Sequence, residues 1–234
     1  MSSVILPIQI RVEEDDMKTC FEFADSMCSL NQNHEFNNKE LNARRSPDQV
    51  RKDILIGKVA ECAVHIFLTD QGALNVSPVD FQILGENKSD DVDLIVNGHR
   101  IGIKSTEMGY HLMIHSRQLI SPLPEAWVLC QTKFRNGEPT GLVKIVAYTS
   151  SKVIVDEARC QEYAVKHAQA SASIMPTLGE DICKGHARYQ RAGTYLVDQV
   201  TNKQLVLLQA DNLIIRNTDM NHKVQFLIDF LNRL

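Results

Sequence analysis

Several common signatures of function are absent from this chain of 234 residues. Its six cysteines include no Cys-x-x-Cys pair, which excludes a zinc ribbon, and we expect buried, reduced thiols. The chain has no Gly-rich phosphate loop, no Gly-x-Ser-x-Gly elbow and no His-Glu-x-x-His motif. No run approaches the roughly 18 apolar residues of a membrane span, and the first residues lack the features of a signal peptide. These absences predict a soluble, cytoplasmic protein without a membrane partner.

Charge of one sign is not in large excess, because 29 acids face 25 bases and give a net charge of −4. This value argues against a histone-like polycation. The first 40 residues hold eight of the acids and three of the bases, so residues 41–234 carry 21 acids and 22 bases. Basic clusters lie at 44–58 and 184–191. The distribution therefore permits a nucleic-acid partner.

Hydrophobic periodicity predicts an α/β fold with a central mixed β-sheet flanked by helices. We find no repeat and no linker, so we expect one domain over 1–234. It comprises a helical N-terminal appendage (1–45), a core (46–150) and a C-terminal part (151–234). The predicted helices are 14–30, 47–68, 156–170 and 224–234. The predicted strands are 81–84, 92–96, 101–104, 111–115, 127–131, 142–148 and 204–210, and 177–195 is expected to be irregular and basic.

The most informative segment is a hairpin centred on Asn97-Gly98. An Asn-Gly pair between two alternating runs predicts a two-residue turn, which fixes the register of the strands. That register sets Asp93 opposite Gly102 and Asp91 opposite Lys104 on one face of the hairpin. The other face carries the apolar residues Val92, Leu94, Val96, Ile101 and Ile103. Two carboxylates and an ammonium are therefore predicted to converge, unless this face is a plain solvated surface.

A third carboxylate lies in the helix predicted before the hairpin. Glu61 falls at the edge of the apolar helical stripe, beside Lys58 and His65 at helical spacing. It is placed to reach across the helix–sheet junction toward Asp93. The alternative is a border glutamate that pairs with Lys58.

Together these residues resemble the PD-(D/E)XK nuclease superfamily, and its type II restriction endonucleases in particular. The resemblance rests on Gly-x-x-x-Glu in the helix (Gly57–Glu61), Asp93 in a strand and the following Lys104-Ser-Thr. It implies a restriction-endonuclease-like core, Mg²⁺ as cofactor and sequence-specific hydrolysis of double-stranded DNA by a homodimer. It also implies that Asp93 and Glu61 bind metal with the backbone carbonyl of Ile103, and that Lys104 is the catalytic lysine.

The sequence departs from that family at Gly102, where an aspartate or glutamate is expected. A glycine supplies no ligand oxygen for a hard cation. One interpretation is a single inactivating substitution; another is that Glu61, Asp91 or Glu107 supplies the missing acid. The third is a natural pseudo-nuclease, which binds DNA without cutting it.

Candidate DNA contacts are basic residues outside this core motif. They are Arg44, Arg45 and Arg51 before and within the helix, Arg117 after a strand, and Lys184, Arg188 and Arg191 in the late basic segment. His111 and His115 are predicted to share one strand face, as ordinary surface or core histidines.

Overall fold

The structure is a computed structural model that describes residues 4–31, 37–38, 43–44, 46–82, 92–119, 123–169, 180–191, 195–197, 204–208 and 212–233. Its helices are α1 (Glu14–Asn31), α2 (Pro47–Asp70), α3 (Ser151–Ile154), α4 (Glu157–Gln169) and α5 (Val224–Leu231). Its strands are β1 (Ile8–Arg11), β2 (Asn37–Asn38), β3 (Ala43–Arg44), β4 (Leu94–Val96), β5 (His99–Thr106), β6 (His111–His115), β7 (Ala126–Arg135), β8 (Glu138–Ser150), β9 (Arg188–Gln190), β10 (Tyr195–Val197), β11 (Gln204–Leu207) and β12 (Asn212–Arg216).

The central sheet has five strands in the order β1-β8-β7-β5-β4. Strands β5 and β7 run parallel and the other neighbours run antiparallel, so the sheet is mixed. A three-stranded sheet, β6-β12-β9, lies beside it, together with the two-stranded pairs β10-β11 and β2-β3. The predicted α/β class, with a mixed central sheet flanked by helices, is confirmed.

The long helix α2 begins at a strong local signal. The Ser46 hydroxyl accepts a hydrogen bond from the Gln49 N–H at 3.1 Å, and Pro47 occupies the first helical turn, where its missing N–H costs nothing. Buried apolar residues recur along one side of the helix, among them Val59, Ala63 and Phe67. That side packs against β5, β7 and β8, which anchors α2 on the sheet.

Two apolar clusters cover the two faces of the central sheet. The first lies under α1, α2 and α5 and includes Ile101 and Ile103 of β5. The second lies under β6, β12 and α4 and includes Trp127 and Leu129 of β7. Successive residues of β5 therefore face different clusters, and even-numbered positions face the second one.

The turn residues Asn97 and Gly98 both have positive φ, as the predicted hairpin turn requires. The register is also as predicted, with Leu94 opposite Ile101. The predicted strand at 81–84 is wrong for its first half, because Phe81 and Gln82 are not in a strand. Residues 83–84 lie outside the described residues. The segment 177–195 is not wholly irregular, since it contains β9.

The sequence did not predict six of the strands, namely β1, β2, β3, β9, β10 and β12. Two of them are held by partners distant in the chain, since β1 pairs with β8 and β12 joins β6 to β9. Among the described residues, no helix combines the length and apolarity needed to cross a membrane.

The hairpin is tied to the end of the chain through His99. Its Nε2 lies 3.0 Å from the Arg233 carbonyl oxygen and its Nδ1 bonds the Glu125 carboxylate. The Arg233 carbonyl, followed by Glu125, raises the pKa of His99 above its ordinary value of 6.5. The cationic form is therefore favoured by folding.

We predict that H99Q loses stability in a pH-dependent way. A raised pKa in the folded state stabilises the wild type fully below pH 6.5, and this advantage disappears as the pH rises through the folded-state pKa. Because the pair is partly exposed, we expect a difference of about 1 kcal/mol or less. Urea unfolding at several pH values measures it, with the exposed His186→Gln as control; a pH-independent difference would contradict this assignment.

Candidate functional site

A cavity of about 250 Å³ lies between α1, α2 and the residues that precede β4. Its lining combines acidic, basic and apolar side chains: Phe23, Met27, Asp53, Ile54, Gly57, Lys58, Glu61, Asp80, Val92 and Asp93. The structure therefore brings Glu61 and Asp93, which are 32 positions apart in the sequence, to one cavity. Asp91 lies outside the described residues.

Asp93 is half-buried and forms a bend directly before β4. It lies one residue beyond the last ladder pair, Leu94 with Ile101. One carboxylate oxygen, Oδ2, accepts a hydrogen bond from the Ile103 N–H. Ile103 thus contacts Asp93 through its backbone nitrogen, while its role as a carbonyl ligand stays a prediction.

Lys104 is half-buried on β5, and its Nζ lies 5.5 Å from the centre of the Trp127 ring. Burial lowers the pKa of its ammonium below the ordinary 10.5, because the charged form loses hydration. The carboxylates of Asp93 and then Glu61 act in the opposite direction. The charges of the three residues named by the resemblance therefore interact.

Glu61 is paired with a lysine of its own helix. Lys58 Nζ lies 2.7 Å from Glu61 Oε2 and donates a second hydrogen bond to the Asp80 carbonyl at 2.8 Å. Both side chains are about nine-tenths buried, at 10% and 9% exposure. The pairing that the sequence offered as the alternative for Glu61 is present, but it is buried rather than at a solvated border.

Gly102 is packed directly against Trp127, which lies opposite it in the parallel ladder between β5 and β7. A Cβ atom at position 102 would lie 2.4 Å from two indole carbons. The indole is fully buried, and its Nε1 donates to Ser151 Oγ at 2.9 Å. The space that an acidic side chain at position 102 would need is thus filled by the indole.

Sequence reasoning missed Trp127. It is the single tryptophan of the chain and stands at the start of a predicted strand, but no local pattern links it to Gly102. The contact becomes visible only through the parallel pairing of β5 with β7.

Mg²⁺ prefers six oxygen ligands in nearly octahedral geometry. Among the described residues, no group of three His, Cys, Asp or Glu side chains is arranged to hold a metal ion. One oxygen of Glu61 bonds Lys58 and one oxygen of Asp93 bonds a backbone N–H. Glu107, another proposed source of the missing acid, lies 2.5 Å from Lys52 Nζ. The described residues therefore do not by themselves build the magnesium site that the resemblance implies.

Arg51, a candidate DNA contact, forms two ion pairs within the protein. Its guanidinium lies 2.5 Å from Asp25 and 3.1 Å from Glu138, and the hydrogen bond to Asp25 raises its pKa. It connects α2 with α1 and β8. Of its predicted companions, Arg44 lies in β3 and Arg45 lies outside the described residues.

The remaining candidate DNA contacts lie later in the chain. Arg188 and Arg191 are exposed in and after β9, and Arg188 donates to the Ala187 carbonyl at 2.8 Å. Lys184 lies 3.6 Å from Asp156. Arg117 lies in a 3₁₀ turn, Ser116–Leu119. These residues lie on elements other than those that line the cavity.

His111 and His115 share one face of β6, as predicted. They alternate with the buried Leu112 and Ile114. They contribute nothing to the cavity beside Glu61.

We predict that G102A is destabilised because its methyl group would overlap the indole of Trp127. Overpacking of this kind costs about 1–3 kcal/mol. Gly57→Ala is the matched control, since a Cβ there meets nothing within 4 Å and alanine favours a helix interior by about 0.5–1 kcal/mol. Urea unfolding compares the variants, and the cost of G102A should shrink in a W127L background. A G102A protein as stable as the wild type would refute the contact.

We also predict a pH-dependent effect of K104M. A lysine whose pKa is lowered by folding binds fewer protons in the native state, so the wild type gains stability as pH rises from that lowered value toward 10.5. Relative to K104M, the wild type should therefore become more stable with rising pH. Thermal unfolding from neutral to alkaline pH measures this, and a constant difference would show that burial does not perturb Lys104.

No protein-family model, curated protein or solved structure matches this chain. The resemblance to PD-(D/E)XK nucleases therefore rests on its own residues, chiefly Glu61, Asp93 and Lys104.

Proposed function

We propose that this chain is a DNA-binding protein on a nuclease-like core that does not hydrolyse phosphodiester bonds. The observation that carries the proposal is the contact between Trp127 and Gly102. The resemblance requires an acidic side chain at position 102, and the buried indole takes up the space for it. The incomplete donor set around Asp93 and Glu61 supports the same conclusion.

DNA binding is supported by the charge distribution. Residues 184–191 hold three cationic side chains and no acid, and the cationic residues Arg188 and Arg191 are exposed. Arg188 lies on β9, an edge strand of its sheet. An exposed basic edge suits contacts to the phosphate backbone, which dominate affinity for DNA. Tyr189, between the two arginines, is buried in the second apolar cluster and is not part of this edge.

A second candidate is a Mg²⁺-dependent, sequence-specific endonuclease of a restriction system that acts as a homodimer. The observation that favours it is the common cavity of Glu61 and Asp93, with both charges acting on Lys104. It requires a further ligand, for which the sequence offers Asp91, a residue that lies outside the described part of the chain.

One experiment separates the two candidates. The wild type is incubated with mixed-sequence duplex DNA in Mg²⁺ and in Mn²⁺, while binding is followed by fluorescence anisotropy. We expect binding and no fragments in either metal. Discrete fragments that disappear in K104M would overturn the non-hydrolytic proposal and establish the endonuclease.

The binding surface has its own prediction. R188E should weaken DNA binding and reduce the slope of log affinity against log salt by about 0.9 for each phosphate that the protein no longer neutralises. Lys18→Glu is the matched control, because it makes the same charge change at an exposed site on the acid-rich helix α1. Equal effects of both variants would show a response to net charge alone and remove residues 184–191 from the interface.

A further inference from the structure

The cavity beside Asp93 already contains a cation that belongs to the protein. Lys58 extends from α2 into it, and its whole side chain is 10% exposed. A buried ammonium is costly unless anionic or dipolar groups surround it. The groups around Lys58 therefore show what this cavity is built to hold.

Four groups surround the Lys58 ammonium. Glu61 Oε2 and the Asp80 carbonyl oxygen lie at 2.7 and 2.8 Å. The rings of Phe23 and Phe81 lie with their centres 5.2 and 5.8 Å from Nζ, within the range of cation–π attraction. The two rings pack edge to face at 5.7 Å, so they form one aromatic wall.

The oxygen atoms in this shell are of the type that hard divalent cations bind. Carboxylate and carbonyl oxygens suit Mg²⁺, Ca²⁺ and Mn²⁺, whereas aromatic rings suit an ammonium. Glu61 is also the residue that the resemblance assigns to metal binding. The aromatic wall thus favours the lysine over a hydrated ion at the Glu61 side of the cavity.

We infer that the Lys58 ammonium is the resident cation of this cavity and takes the place of a divalent metal at Glu61. It neutralises the buried carboxylate and fixes the Asp80–Phe81 backbone against α1 and α2. Removal of its charge exposes Glu61, Asp93 and the Asp80 carbonyl to an external divalent cation. The inference deepens the proposed function and rests on it for the identity of the site.

The test uses Mn²⁺ and thermal unfolding of K58M, with K52M as the matched control. Lys52 lies on the same helix and also combines an ion pair, to Glu107, with a ring contact to Phe134, but its side chain is 31% exposed. We expect K58M to melt several degrees below both the wild type and K52M, and to recover in millimolar Mn²⁺. Wild type and K52M should not respond to Mn²⁺.

Two double variants show which carboxylate is responsible for the effect of Mn²⁺ on the stability of K58M. K58M/E61Q should regain stability without metal, because the carboxylate that has lost its Lys58 partner is gone, and K58M/D93N should lose the response to Mn²⁺. A folded K58M that ignores Mn²⁺, or a wild type that responds as strongly as K58M, would overturn the inference.

A measurement on the wild type keeps the test decisive if K58M does not fold. The ¹H–¹⁵N signal of a buried, hydrogen-bonded lysine ammonium exchanges slowly, and for Lys58 it should stay sharp in Mn²⁺. Paramagnetic broadening of this signal would place the metal beside the ammonium and refute the inference that Lys58 takes the place of the metal. These readouts involve no DNA, so cleavage by the wild type would overturn the proposed function without deciding this result.

Discussion

The close approach of the Trp127 indole to the backbone of Gly102 is the constraint on which the site depends. It joins β5 to β7 at the point where the two strands run parallel, and it leaves no room for a side chain at position 102. The indole is fixed from its other end by Ser151, whose hydroxyl in turn donates to the Pro124 carbonyl. Because a close-packed interior transmits strain, one fully buried ring dictates the residue on the neighbouring strand.

The two carboxylates that line the cavity beside α1 and α2 are balanced in charge by the protein itself. Two ammonium groups, Lys58 and Lys104, act on two carboxylates, Glu61 and Asp93. Buried charges are tolerated when partners compensate their lost hydration. Glu61, which a hydrolytic nuclease would hold ready for metal, is therefore neutralised from within its own helix, while the lowered pKa of Lys104 reports the cost of burial on the strand side.

Both features reduce the number of acidic oxygens that are available to a metal ion. Trp127 removes the position of one acid, and Lys58 engages another. The residues on which the resemblance rests are engaged within the protein, since Glu61 bonds Lys58 and Asp93 accepts a hydrogen bond from the Ile103 N–H. In the function that we propose, DNA would contact the exposed edge around Arg188, away from the residues that line the cavity.

Local signals in the sequence predicted much of the fold. The Asn97-Gly98 turn predicted the hairpin register, and the periodic apolar stripe of residues 47–68 predicted α2. The strands β1 and β12 could not be predicted because their pairing partners lie far away in the chain.

The sequence predicted which residues belong to the site, but it did not predict the contacts that they make. The sequence named Glu61, Asp93 and Lys104, and offered the pairing of Glu61 with Lys58. It did not reveal that this pair is buried, since a Lys–Glu pair three residues apart on a helix is typical of a solvated surface. The contact of Trp127 with Gly102 depends on a parallel pairing that no local pattern encodes.

The central claim is that side chains of the protein fill the positions that a metal and its ligands would take. Anomalous diffraction from crystals of the wild type grown with Mn²⁺ tests this most directly. We predict no anomalous peak between Asp93 and Glu61, with the Lys58 ammonium still bonded to Glu61. A Mn²⁺ ion bound by both carboxylates, with Lys58 displaced, would contradict the account.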